Sequence, residues 1–282
     1  MTVKFKDNPL QAGVAWIFAI MLVVIVLTPF FTALVSAFKT TADFYENSYT
    51  VFPKRWRFEN FIEAWKFAEF GRFMFNSILC AVLITVLCTS ISSASAFAFA
   101  RVRFFARDII FYIIILCQAI PFTILFIPTY ILVYKMGLLN TYFGLILPSL
   151  SSPMGIFLIR QSMKSIPVDY EYAAMIDGCN RGQMFLKVFL PMTTNTIAAL
   201  GIFTFMGSWN NYIWPLLIIT KKTMYTLPLG LTLYNIANNN VRHLEWSHVL
   251  CAGIMAVLPI FIVYAFASKR FMEGFALSGI KA

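Results

Sequence analysis

The sequence predicts an all-α polytopic membrane protein with six transmembrane helices, and three observations carry that prediction. Of its 282 residues, 60% are hydrophobic and 12% charged, with a mean hydropathy of +0.77, far from the composition of a water-soluble domain. Six apolar stretches are long enough to cross roughly 30 Å of hydrocarbon, which takes about 20 residues: 14–37, 73–100, 109–134, 142–159, 195–219 and 248–267. Between the fourth and fifth lies a polar interruption, residues 166–191, rich in helix punctuation. The chain reads as one domain, 1–282, with a membrane core at about 73–268, a loop at 160–191 and a C-terminal tail at 269–282.

The first stretch is too long for a cleaved signal peptide and no small-residue cleavage site follows it, so it is read as a retained helix. Residues 39–72 then form the largest outer segment, with Phe44, Tyr45, Trp56, Phe58 and Trp65 among mixed charges. Its 57–70 part places Phe58, Ile62, Trp65 and Phe70 near one helical face, a pattern for a helix at the outer interface. The third and fourth stretches contain Pro121, Pro128, Pro148 and Pro153. Each interior proline removes a backbone donor and kinks a helix, and broken backbone at membrane depth survives only inside protein or beside water.

In the polar interruption, Pro167 suits the first turn of a short helix over 170–176. Gly178 permits a tight reversal, and Asn180 caps a second helix through Met184, Phe185, Val188 and Phe189. Pro191 pre-sets the first turn of the next stretch. The predicted shape is a helix–turn–helix on one membrane face, suited to docking against another protein.

Topology follows from the basic residues. An even number of spans puts both termini on one side. With the N-terminus inside, Lys4, Lys6, Arg101, Arg103, Arg107, Arg160, Lys164, Arg181, Lys187, Lys269, Arg270 and Lys281 are cytoplasmic. The compact Arg101/Arg103/Arg107 turn carries the most weight, because long translocated segments count less than short loops.

Several classes are excluded. Net charge +10 is scattered among loops with no basic stripe, so no nucleic-acid partner is indicated. The five cysteines have no metal spacing and suggest no disulfide framework. No GxxxxGK[ST] loop cradles a nucleotide, and His243 and His248 are the only histidines. With no carboxylate pair in a span, neither a catalytic site nor a proton relay is indicated. That disfavours a membrane enzyme, and also a self-contained secondary transporter or channel for a polar solute, the alternative reading. Polar groups within or near spans are Asn76, Ser77, Gln118, Asn195, Asn210 and Asn211; such groups mostly bond across helices. The candidates for a substrate path are Gln118, Trp209, Asn210 and Asn211.

The spacing Ala173-Ala174, Gly178, then Val188-Phe189-Leu190-Pro191 resembles the EAA loop of binding-protein-dependent ABC importers. The family's glutamate before the two alanines falls here on Tyr172, with Glu171 one place early. Further blocks resemble the carbohydrate branch: IPFTILFIPTYILVYKMGLLNTYFGLILP, GSWNNYIWPLL and the end KRFMEGFALSGIKA, with Ala282 where glycine is usual. These blocks resemble the second membrane subunit of maltose-type and related oligosaccharide importers. The resemblance implies the type I ABC importer permease fold, with a cytoplasmic coupling loop whose ATPase contacts are Glu171, Tyr172, Ala173, Ala174, Asp177 and Gly178. It implies a carbohydrate substrate, a di- or oligosaccharide, moved by alternating access, with either this subunit or its partner holding the sugar. It implies no catalytic residue, metal or cofactor in this chain, ATP and Mg being bound by a partner ATPase dimer. The other implied partners are a second permease subunit, an extracytoplasmic solute-binding protein and the lipid bilayer of the bacterial cytoplasmic (inner) membrane. The tail, 271–282, is too short to fold alone and too polar to insert, with Phe271, Phe275, Leu277 and Ile280 as apolar anchors. The resemblance implies that it runs along the ATPase dimer.

Overall fold

The computed structural model describes residues 9–46, 50–67, 69–238 and 246–279. The predicted positions Lys4, Lys6, His243, Ile280, Lys281 and Ala282 lie outside them. The described residues form helices and no strands, in two compact units, one of 1–70 with 233–256 and one of 71–232 with 257–282.

In the first unit, α1 (Pro9–Ser36) is largely apolar and leaves most of its length bare, with Val35 buried near its end. The short helices α2 (Thr41–Glu46) and α3 (Glu59–Phe67) follow. The buried Asn60 of α3 donates to Ala37 O (2.8 Å) and Lys39 O (2.9 Å), capturing the carbonyls that the end of α1 leaves open. Phe38 packs against Trp56, Phe58 and Phe61. Phe58, Ile62 and Trp65 form the expected outward face, but Phe70 does not join it: it is fully buried and opens the next helix.

The second unit is built on α4 (Phe70–Arg101). After it come α5 (Arg107–Leu116), extended by a 3-10 turn (Cys117–Ala119), and α6 (Phe122–Lys135). Next are α7 (Tyr142–Ile146), a 3-10 turn (Leu147–Ser149) and α8 (Pro153–Lys164). Then follow α9 (Asp169–Ile176), α10 (Arg181–Met184), a π-helical turn (Phe185–Phe189), α11 (Leu190–Met192) and α12 (Thr194–Trp209). The chain closes with α13 (Ile213–Ile218), α14 (Leu227–Asn238) and α15 (Trp246–Gly279). The tail is thus helical as far as Gly279, one continuous helix with the last apolar stretch.

Among the described residues, three helices are long and apolar enough to cross a bilayer, or up to six if each bent pair counts as one span. The bends are 107° between Arg107–Ala119 and Thr123–Lys135, 48° between Tyr142–Ser149 and Pro153–Lys164, and 78° between Arg181–Met192 and Thr194–Trp209. Of the prolines expected as interior kinks, only Pro128 sits inside a helix. Pro121 precedes α6, Pro148 lies in the 3-10 turn that continues α7 directly, and Pro153 begins α8, where Ser152 accepts from Gly155 N. A proline at a helix start gives up a donor that had no intrahelical partner, so Pro121 and Pro153 start helices after a break and do not bend intact ones. The predicted fifth span, 195–219, is divided in the same manner: α12 stops at Trp209 and α13 resumes at Ile213.

The polar groups of α4 hold this unit together. Asn76 is buried, donates to Thr223 O (3.1 Å) and Tyr225 O (2.9 Å), and accepts from Tyr142 Oη (2.7 Å). Ser77 Oγ accepts from Leu227 N at 2.7 Å. Gly144 is needed where α7 meets the preceding turn, because a Cβ there would lie 2.3 Å from Leu138 O; its own carbonyl accepts from Trp214 Nε1 at 3.1 Å. Asn76→Leu would leave two carbonyls and the Tyr142 hydroxyl without that partner. The expected loss is about 1–3 kcal/mol, seen as a lower thermal midpoint of the purified protein. The exposed Gln118→Ala should leave that midpoint unchanged.

Candidate coupling site

The 166–191 segment folds as its local chemistry requires. Asp169 and Glu171 lie in the first turn of α9, where carboxylates complement the helix dipole. Gly178 closes the helix at φ +76°, a left-handed conformation that a side chain would strain. Cys179 N then donates to Ala174 O (2.9 Å) and Gly178 N to Met175 O (3.0 Å). Asn180 starts α10 through a reciprocal capping box: its Oδ1 accepts from Gln183 N and Gln183 Oε1 accepts from Asn180 N, both at 2.9 Å. The second helix is short. It passes into the π turn and α11 before breaking at Thr193, whose hydroxyl donates to Phe189 O at 2.8 Å.

The i, i+3 spacing places Glu171 and Ala174 on one face of α9, and both point inward. Ala174 packs in a buried cluster with Met184, Phe189, Ile159, Met163, Ile166, Ala96, Phe97 and Leu200, so the segment is seated on the ends of α4, α8 and α12. Glu171 is 9% exposed and pairs with Arg181 Nη1 at 2.7 Å. Its other oxygen faces Arg101 Nη1 at 3.7 Å. Arg101, the last residue of α4, also donates through Nη2 to Met163 O (2.6 Å) and Ile166 O (2.5 Å), the carbonyls that end α8. Its guanidinium stands 4.7 Å from the centre of the Phe189 ring. One buried cation therefore ties α4, α8, α9 and the π turn to one another.

The opposite face of α9 is bare. Ile176 is 87% exposed, and Tyr172, Tyr170, Val168 and Met175 are exposed beside it, with Ala173, Asp177 and Gly178 also open. Of the six predicted contact residues, four thus lie on the open side, while Glu171 and Ala174 are internal. A contiguous apolar face of this kind is suited to contact with a protein or a membrane.

The predicted path residues are not drawn into one site by the contacts they make. Trp209 is 3% exposed, its ring stacked on Phe205 at 5.8 Å, so it packs the interior and presents nothing to a passing solute. Asn211 Oδ1 accepts from Trp214 N at 3.3 Å and so serves the start of α13. Gln118, in the turn after α5, and Asn210, at the end of α12, are exposed. Sequence reasoning missed Arg101 as a structural centre. A basic residue at a helix end reads as topology, and its partners lie more than sixty residues away in the chain.

Residues 89–269 match the family described as binding-protein-dependent transport system inner membrane component. The arabinooligosaccharides transport system permease protein AraQ of Halalkalibacterium halodurans is 31% identical over 284 residues, covering 99% of each chain. The diacetylchitobiose uptake system permease protein NgcG of Streptomyces coelicolor is 30% identical, over 92% of this chain and 85% of that one. The sn-glycerol-3-phosphate transport system permease protein UgpE of Yersinia enterocolitica is 30% identical, over 89% of this chain and 91% of that one. In fold, the chain is similar to a crystal structure of a bacterial ABC transporter involved in the import of alginate. The TM-score is 0.81 at 21% identity, over 94% of this chain and 98% of that one. The helical architecture is that of an ABC importer permease, a multi-pass inner-membrane transport component and not an enzyme. The chain belongs to the binding-protein-dependent transport system inner membrane component family.

The two faces of α9 give separable predictions. Ile176→Asp should leave the thermal midpoint of the purified chain unchanged while lowering transport, since the side chain touches solvent. Ala174→Glu puts an unpaired carboxylate into the buried cluster and should destabilise by about 3–5 kcal/mol, visible as lost expression or a depressed midpoint.

Proposed function

We propose that this chain is one of two membrane-spanning subunits of an ATP-driven importer that moves a short oligosaccharide by alternating access, and that the bare face of α9 docks on a cytoplasmic ATPase dimer. The observation that carries this reading is the pairing of an exposed apolar face with a buried lock on the same short helix. Force applied to Tyr172, Met175 and Ile176 would pass through Glu171 and Ala174 to Arg101 and the ends of α4, α8 and α12. A packed cluster with few voids transmits displacement without absorbing it. The π turn supports the assignment, because such turns occur mostly at functional sites within helices.

In this reading both termini and the 166–191 segment are cytoplasmic. The end of α15, through Gly279, reaches toward the ATPase. A second permease subunit completes the path against the bare apolar surface of α1 and its neighbours. An extracytoplasmic binding protein delivers the substrate, and ATP and Mg are bound by the ATPase alone. The sugar class rests on relatives named for arabinooligosaccharides and diacetylchitobiose. Gln118 and Asn210, exposed amides with free donors and acceptors in kind, are the groups proposed to meet sugar hydroxyls.

The test is reconstitution of the chain with its partner permease, ATPase and binding protein in liposomes. The chain alone should hydrolyse no ATP, whereas the complex should hydrolyse ATP faster when sugar-loaded binding protein is added. Gly178→Pro should abolish that stimulation, because proline is locked near φ −65° and cannot adopt the reversal. Removing residues 271–282 should leave insertion intact and weaken the stimulation. ATP hydrolysis by the isolated chain, or normal coupling in Gly178→Pro, would overturn the proposal.

A further inference from the structure

The turn from Val102 to Ala106, between α4 and α5, carries a feature that neither the coupling lock nor the transport reading uses. A cavity of about 440 Å³ opens there, lined by Arg103, Phe104, Ala106, Arg107, Asp108 and Ile109. Its charge is one-sided. The single lining carboxylate, Asp108, is shared by Arg107 Nη2 at 3.0 Å and Arg160 Nη2 at 3.3 Å, and Lys164 lies in the field of the same groups. Three cations, Arg107, Arg160 and Lys164, therefore act on one carboxylate, Arg103 adds a fourth cation to the cavity wall, and among the described residues no carboxylate pairs with Arg103. Arg160 is itself buried, fixed by Phe99 O at 3.2 Å and by the Phe111 ring 3.8 Å beneath its guanidinium, so the positive wall is rigid.

The cavity also meets an apolar track. Ile109, which lines it, begins a row with Tyr112, Ile113 and Leu116 down α5, all more than half exposed. That spacing puts the four on one helix face, about 10 Å long. Phe105, at the tip of the turn, is 95% exposed. Arg101 joins the end of α4 to the coupling segment, so the cavity lies on the side of the molecule that carries that segment. We propose that this turn is a binding site for an anionic phospholipid, with the headgroup phosphate against Arg103 and Arg107 and an acyl chain along Ile109, Tyr112, Ile113 and Leu116. A free phosphate ion would satisfy the cations and leave the apolar row bare. A zwitterionic lipid would satisfy the row and bring no net charge to the cations. Only an anionic amphiphile answers both halves, and basic residues at a membrane surface attract such lipids in the way this cluster would.

The experiment uses the full chain, purified and delipidated in detergent, titrated with dioleoylphosphatidylglycerol and followed by native mass spectrometry. The wild type should hold the lipid, Arg103→Gln should hold it about fivefold more weakly, and Arg103→Lys should hold it as the wild type does. Dioleoylphosphatidylcholine should bind no better to the wild type than to Arg103→Gln, and millimolar inorganic phosphate should not displace phosphatidylglycerol. Arg103 is exposed and bonds to nothing that the fold needs, so Arg103→Gln should fold. Equal phosphatidylglycerol retention by wild type and Arg103→Gln would overturn the proposal. Displacement by inorganic phosphate would overturn it too, showing a simple anion site.

Discussion

The second unit depends on one desolvated guanidinium. Arg101 satisfies the carbonyls of Met163 and Ile166 that close α8, faces Glu171 of α9 and covers the ring of Phe189. Burying an ion pair does little for stability by itself, because desolvation offsets the attraction. Its value here is geometric. Arginine holds its donors in a planar fork, and here Nη2 takes two carbonyls while Nη1 faces Glu171, which places several chain segments relative to each other. A lysine has one centre of charge and no fork, and would not reach two carbonyls and a carboxylate together. The arrangement makes the coupling segment a rigid extension of the helices behind it.

The same economy of polar groups recurs in the other contacts of this unit. Asn76 and Ser77 on α4 receive the irregular backbone around 223–227, and Asn140 Oδ1 accepts from Thr220 N (2.7 Å) and Lys221 N (2.9 Å). Helices interrupted within a membrane expose backbone groups that lipid cannot satisfy, and each must find a partner inside the protein. At two of the helix breaks the partner is a hydroxyl: Ser152 Oγ accepts from Gly155 N at the start of α8, and Thr193 donates to Phe189 O before α12.

The register of α9 has a simple geometric result. Helical spacing turns Glu171 inward beside Ala174 and leaves Tyr172 outward beside Ile176. The carboxylate becomes part of the internal lock, and the open face becomes almost wholly apolar and aromatic. The open side of α9 is accordingly suited to contact through shape and burial, with Asp169 and Asp177 as its exposed acids.

What the sequence determined by itself was whatever depends on composition and near neighbours. Apolar length marked the membrane helices, Gly178 and Asn180 marked the reversal and the second helix start, and the spacing from Ala173 to Pro191 marked the family. These are short-range effects: φ preference, capping and hydrophobic length act within a few residues. Only the tertiary structure decided that Arg101 is a structural centre, that Ala174 and Trp209 are interior, that Phe70 leaves the outer face for α4, and that Pro121 and Pro153 start helices after breaks. Each of these depends on what lies opposite in space. A helix period tells which residues share a face, but the neighbour across from that face comes from segments sixty or more residues away, and packing against them decides which face is buried.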